Sequence, residues 1–114
     1  MENKKQFELI LCIVNSGYTD LVMEAASKSG ARGGTVVTAR GSGNAEAEKL
    51  YGITITPEKE IVMIVVPREI KDNVLRAIYE EAGLDTRGQG IAFSLPVDEA
   101  VGLNAEIEAE KYEK

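Results

Sequence analysis

The chain repeats itself. Shifting it by 52 positions lays Val14 on Val66, Asp20 on Asp72, Val22 on Val74, Met23 on Leu75 and Ala25 on Ala77. Each half runs through the same series of apolar strand, amphipathic helix, glycine turn and second strand. In the first half these are Phe7 to Val14, Thr19 to Ser29 with Gly30 ending the helix, and Thr35 to Arg40. In the second they are Glu60 to Val66 closed by Pro67, Arg68 to Ala82 capped by Gly83, and Ile91 to Val97. An Arg-Gly pair, Arg32-Gly33 and Arg87-Gly88, falls at the same stage of each half.

A doubled strand–helix–strand describes a β-α-β-β-α-β split unit. The expected fold is therefore α+β and ferredoxin-like, with an antiparallel sheet and both helices on one face. Apolar residues recur at helical spacing in each helix: Leu21, Val22, Ala25, Ala26 and Ser29 in the first, Ile70, Val74, Leu75 and Ile78 in the second. Phe7 to Val14 and Glu60 to Val66 are nearly continuous apolar runs, as strands buried on both faces are. Helices can cover only one of those faces. Burial of the other against further copies of the chain is the economical solution, so an oligomer is expected. Pro96 marks Ile91 to Val97 as an edge strand or a strand end. Cys12, inside the first run, reads as a small buried hydrophobe.

The 114 residues suit one domain. Thirteen basic against nineteen acidic side chains leave a net charge of −6, which argues against nucleic acid as a partner. One cysteine forms no internal disulfide, and there is no histidine. Zinc sites built from Cys and His, His-based acid–base catalysis and Ser-His-Asp chemistry are thereby excluded. The first apolar run is too short to span a membrane and lacks a signal-type cleavage site. A soluble, cytoplasmic protein without membrane insertion is expected.

The stretch from Gly30 to Asn44 holds the candidate chemistry. At Gly33, Gly34, Gly41 and Gly43 no Cβ keeps the amide N–H groups from a ligand. Consecutive amides in such turns make concave anion sites, and Arg32 and Arg40 stand beside them. Shaping tight turns is the other reading of the same glycines. Gly41 to Lys59 is a long connection of mixed content, helix-like over Asn44 to Leu50 and alternating over Ile53 to Thr56. Connections of that length are usually functional or mobile. A second glycine turn, Thr86-Arg87-Gly88-Gln89-Gly90, precedes the last strand, and a charged tail runs from Asn104 to Lys114.

In order along the chain, these residues resemble the P-II signal-transduction proteins. The matches are Gly30, Gly33, Thr35, Val36, Arg40, Gly41 and Gly43, then Pro57, Ile61, Val65-Val66, and Gly88-Gln89-Gly90 with Phe93 after it. The resemblance spans roughly residues 7 to 103. It implies a homotrimer with its sheets around a central axis and adenine nucleotides (ATP, ADP or AMP) in clefts between neighbouring subunits. By position, Gly33, Gly34 and Thr35 would lie near the adenine. Arg40, Gly41, Ser42 and Gly43 would lie at the loop base near the phosphates, and Arg87, Gly88, Gln89 and Gly90 would close on them from the other side. The connection about 41–59, with Asn44, Glu48 and Tyr51, would be the effector loop that engages a transporter or metabolic enzyme. The implied protein is a regulator and not an enzyme, slow incidental ATP hydrolysis aside.

The departures from the family pattern set its limits. Ile91 stands where the family has a lysine after the second turn, and Gly102 and Asn104 stand where it has two arginines. A charge-assisted hydrogen bond is worth about 1.5–3 kcal/mol, so phosphate binding needs replacement cations. Arg87, with Arg32 or Arg40, is the expected replacement, and Arg is well shaped for phosphate. The long connection is shorter than usual. Asn44 and Ala45 replace the arginine and glutamine that reach nucleotide, magnesium and 2-oxoglutarate, and Glu58 replaces a lysine tied to 2-oxoglutarate. The expectation is against 2-oxoglutarate sensing and leaves Mg²⁺ unassigned. Tyr51 lies near the place of a modified tyrosine in some members, but its flanks differ, and an ordinary tyrosine is expected. A sensor of another anion in the same cleft, such as a cyclic dinucleotide or bicarbonate, is the alternative function.

Overall fold

Residues 7–15 contain neither glycine nor proline and place a large apolar side chain at nearly every position, the composition of a strand. In the computed structural model, which describes residues 6–41, 58–86 and 89–103, Phe7–Asn15 is strand β1. It is followed by helix α1, Thr19–Lys28, strand β2, Thr35–Arg40, and strand β3, Glu58–Pro67. Helix α2, Arg68–Glu81, and strand β4, Gly90–Val97, complete the order. The strands lie side by side as β2-β3-β1-β4, every pair antiparallel. β3 is thus inserted between β1 and β2, and β1 between β3 and β4, which is the split unit expected from the repeat. The 52-residue shift carries β1 onto β3 almost end to end.

Alternation along β1 and β3 decides where the core sits. Ile10, Cys12 and Val14 of β1 and Val62, Ile64 and Val66 of β3 face the helices and are fully buried. Val22, Ala25 and Ala26 of α1 and Val74 and Ile78 of α2 close on them. The repeat mates Val14 and Val66, and Val22 and Val74, all belong to this core. Cys12 is the small buried hydrophobe expected, its thiol pushed up to about 12 by desolvation. Leu21, grouped with the buried face from its spacing, instead points outward and is exposed.

Polar groups fix the ends of the layer. Glu60 accepts hydrogen bonds from the Thr19 hydroxyl at 2.7 Å and the Gly17 N–H at 3.1 Å, which anchors the start of α1 to β3. At the opposite end of the sheet Glu8 is buried, and Arg68 Nε donates to its Oε2 at 2.9 Å. Arg68 Nη1 also donates to the Gln6 side-chain oxygen. Gly30, with φ +107°, ends α1 in a backbone conformation that L side chains rarely adopt. β3 begins at Glu58 and pairs with β2 from there, so the last two residues assigned to the long connection, Glu58 and Lys59, belong to the sheet.

Among the described residues the other sheet face carries no helix. Register places Phe7, Leu9, Leu11 and Ile13 of β1, Ile61, Met63 and Val65 of β3, Thr35 and Val37 of β2, and Ile91, Phe93 and Leu95 of β4 on it. Ile91 is 58% exposed and Leu95 46%. The runs that read as buried on both sides are therefore covered on one side by the described residues.

Candidate functional site

Register brings the two glycine corners to one end of the sheet. Arg40 at the end of β2 pairs with Glu58, Asn15 at the end of β1 pairs with Lys59, and Gly90 at the start of β4 pairs with Val14. The corners sit on opposite edge strands with β3 and β1 between them. At the usual strand spacing of about 4.8 Å, that separates them by roughly 14 Å.

Side chains bridge this gap. Lys59 Nζ donates to Asn15 Oδ1 at 2.5 Å, and Asn15 Nδ2 faces Gln89 Oε1 at 3.4 Å. An ammonium only donates, which turns the Asn15 oxygen toward Lys59 and its amide nitrogen toward Gln89. The stem of Lys59 lies against Gly41, where an added Cβ would stand 3.1 Å from Lys59 Cε. One carboxamide at the centre of the sheet end therefore joins the foot of the long connection to the turn before β4. These partners lie 44 and 74 residues apart, and the sequence analysis did not find them.

The glycines of the site are not alike. Gly90, at φ +149°, has no room for a side chain: an added Cβ would be 2.3 Å from the Ile13 carbonyl oxygen. At Gly34 the same addition would meet Met23 Sδ and the Met63 carbonyl oxygen, both at 3.0 Å. Gly34 therefore lets the segment before β2 approach α1 and β3 closely. Nothing lies within 4 Å of the corresponding point at Gly33. Thr35 is exposed on the open sheet face, opposite Met63. Arg32 and Arg40 are exposed, and neither has a carboxylate within ion-pair distance among the described residues. Ser42, Gly43, Asn44, Glu48, Tyr51, Arg87 and Gly88 lie outside the described residues.

A cleft of about 490 Å³ opens between α2 and β4, directly beside the second glycine corner. Leu75, Leu84, Ile91 and Ala92 give it an apolar wall, Gly90 belongs to its lining, and Arg76 and Tyr79 stand along α2. Sequence reading missed Arg76, because an arginine on a solvated helix face carries no signal of its own. Among the described residues there is no cluster of three or more His, Cys, Asp or Glu side chains able to hold a metal ion. No described helix is long and apolar enough to cross a membrane.

Comparison with known proteins agrees with this architecture. A search of curated proteins finds no match. Among solved structures the chain is similar to Arabidopsis thaliana PII in a crystal structure bound to citrate, with a TM-score of 0.68 and 28% identity. The match covers 88% of this chain and 85% of the Arabidopsis chain. The family model for nitrogen regulatory protein P-II, a family of regulators rather than enzymes, matches residues 7–106. With the split four-stranded sheet and nearly the whole chain inside that match, this protein belongs to the P-II family.

Proposed function

We propose that the chain is a nucleotide-responsive regulator that works as a homotrimer. The observation that carries this reading is the placement of the two glycine corners at one sheet end but on opposite edges. The Asn15–Lys59–Gln89 chain occupies the space between them. A compact ligand touches both corners only where the β2 edge of one copy meets the β4 edge of another. The open apolar face supplies the reason for copies to assemble, since an uncovered surface of this kind marks an interaction site.

In this reading Gly33, Gly34 and Thr35 approach the adenine. Arg40, Gly41, Ser42 and Gly43 approach the phosphates from one subunit, and Arg87, Gly88, Gln89 and Gly90 from the next. Binding shifts the conformational population of the connection about 41–57 through unequal affinity for its states. That connection engages a transporter or metabolic enzyme in the cytoplasm. Titration calorimetry with ATP, ADP and AMP, alongside the molar mass in solution, tests the proposal. Saturable binding by a trimer is expected, and a monomer, or a trimer indifferent to all three, overturns it.

A second reading has its own support. The structural neighbour from Arabidopsis was crystallised with citrate, an anion without a base. Ile91, Gly102 and Asn104 also leave this chain short of the cations expected around a triphosphate. A cleft selective for another anion, such as bicarbonate or a cyclic dinucleotide, would bind those compounds in the same titration in preference to ATP, ADP and AMP.

A further inference from the structure

The cleft between α2 and β4 contains one guanidinium in a largely apolar setting, with Tyr79 the other polar side chain. Arg76 lies on its wall with Leu75, Leu84 and Ala92, and shares the cleft with Gly90 at the end of the second glycine turn. Asp72 and Glu80 lie one helical turn to either side of Arg76, where i, i+4 pairing is available. Neither is within ion-pair distance of it; Asp72 instead contacts Lys71 at 3.0 Å. Among the described residues Arg76 has no carboxylate partner at all. In a chain of net charge −6, Arg76 is the one charged residue lining this largely apolar cleft.

We propose that Arg76 is a phosphate ligand of the nucleotide site, replacing from α2 a charge that β4 and the segment after it lack. Ile91, the residue after Gly90, borders the same cleft and carries no charge. A guanidinium presents paired N–H donors to phosphate oxygens. The occupant that fits is an adenine nucleotide whose phosphate lies between the Gly90 turn and Arg76, with the rest of the molecule reaching out of the cleft. The proposal rests on the nucleotide-binding reading above and adds a residue and a position to it.

The test compares the wild-type chain with Arg76→Gln and Arg76→Lys, using ADP and adenosine as probes in titration calorimetry. Arg76 is exposed and unpaired, so the unliganded variants should melt with the wild type. Arg76→Gln is expected to weaken ADP at least tenfold and leave adenosine unchanged, while Arg76→Lys keeps part of the ADP affinity. Equal ADP affinity in wild type and Arg76→Gln overturns the role of Arg76 and leaves the nucleotide site itself standing. Parallel losses for ADP and adenosine overturn it as well, because they locate the effect away from phosphate. A wild-type chain that binds neither probe removes both proposals together.

Discussion

Gly90 shows how one residue ties the candidate site to the fold. Its φ of +149° and the 2.3 Å approach of an added Cβ to the Ile13 carbonyl oxygen make any side chain there both strained and overpacked. Gly90→Ala is expected to cost at least about 2 kcal/mol in urea unfolding, a sum of backbone strain and steric displacement. An unchanged midpoint would mean that the turn relaxes freely. Glu60 makes a second prediction at this scale. Its hydrogen bond from Thr19, and next the one from the Gly17 N–H, hold its carboxyl below the ordinary value of 4.5. A depressed carboxylate contributes stability that is present above its unfolded value and lost as pH falls through the folded one. Glu60→Gln keeps an acceptor but not the charge. The wild type should therefore melt higher at neutral pH, and the gap should close as the pH drops below about 4.5, which thermal melts against pH will show.

Among the elements, β1 is the one on which the others converge. Its helix-side residues build the core, its edges pair with β3 and β4, and its last residue, Asn15, holds Lys59 and Gln89 together. Asn15→Leu removes both hydrogen bonds. Amide exchange is expected to quicken at Glu58–Lys59 and at Gln89–Gly90 in the same variant; quickening on one side alone would show that the two corners at this sheet end are not joined through Asn15. Elements of this kind were legible in the sequence to different degrees. The strands and helices could be read because their apolar spacing is local, and Thr35–Arg40 was placed to the residue between its glycines. The repeat supplied the topology, since two copies of one unit leave few ways to share a sheet. Apolar runs such as Phe7 to Val14 state only that both sides of a strand avoid water, and they do not say whether helices or other copies cover each side. The Asn15–Lys59–Gln89 chain was not legible, because it exists only once strand register brings distant residues together. Arg76 stayed hidden for a related reason: its significance lies in the cleft beside it and in the absence of a partner among the described residues.

The whole molecule presents a sheet with one face against two helices and the other apolar and uncovered among the described residues. Met63 lies near the middle of that second face, between Thr35 of β2 and Leu11 of β1. Met63→Glu should leave the circular dichroism of the fold intact and reduce the proposed trimer to single chains of 12.3 kDa, as light scattering would report. A full-sized assembly in that variant would place the contact elsewhere. The central claim is that each ligand site takes one corner from each of two copies, and subunit mixing tests this most directly. Arg40→Glu and Arg87→Glu, each made separately, should each lose ADP binding. Unfolded together and reassembled, they should regain about a quarter of the sites, because random pairing restores one intact corner from each neighbour that often. No recovery on mixing, in assemblies shown by mass to contain both chains, would contradict the claim and return the whole site to a single subunit.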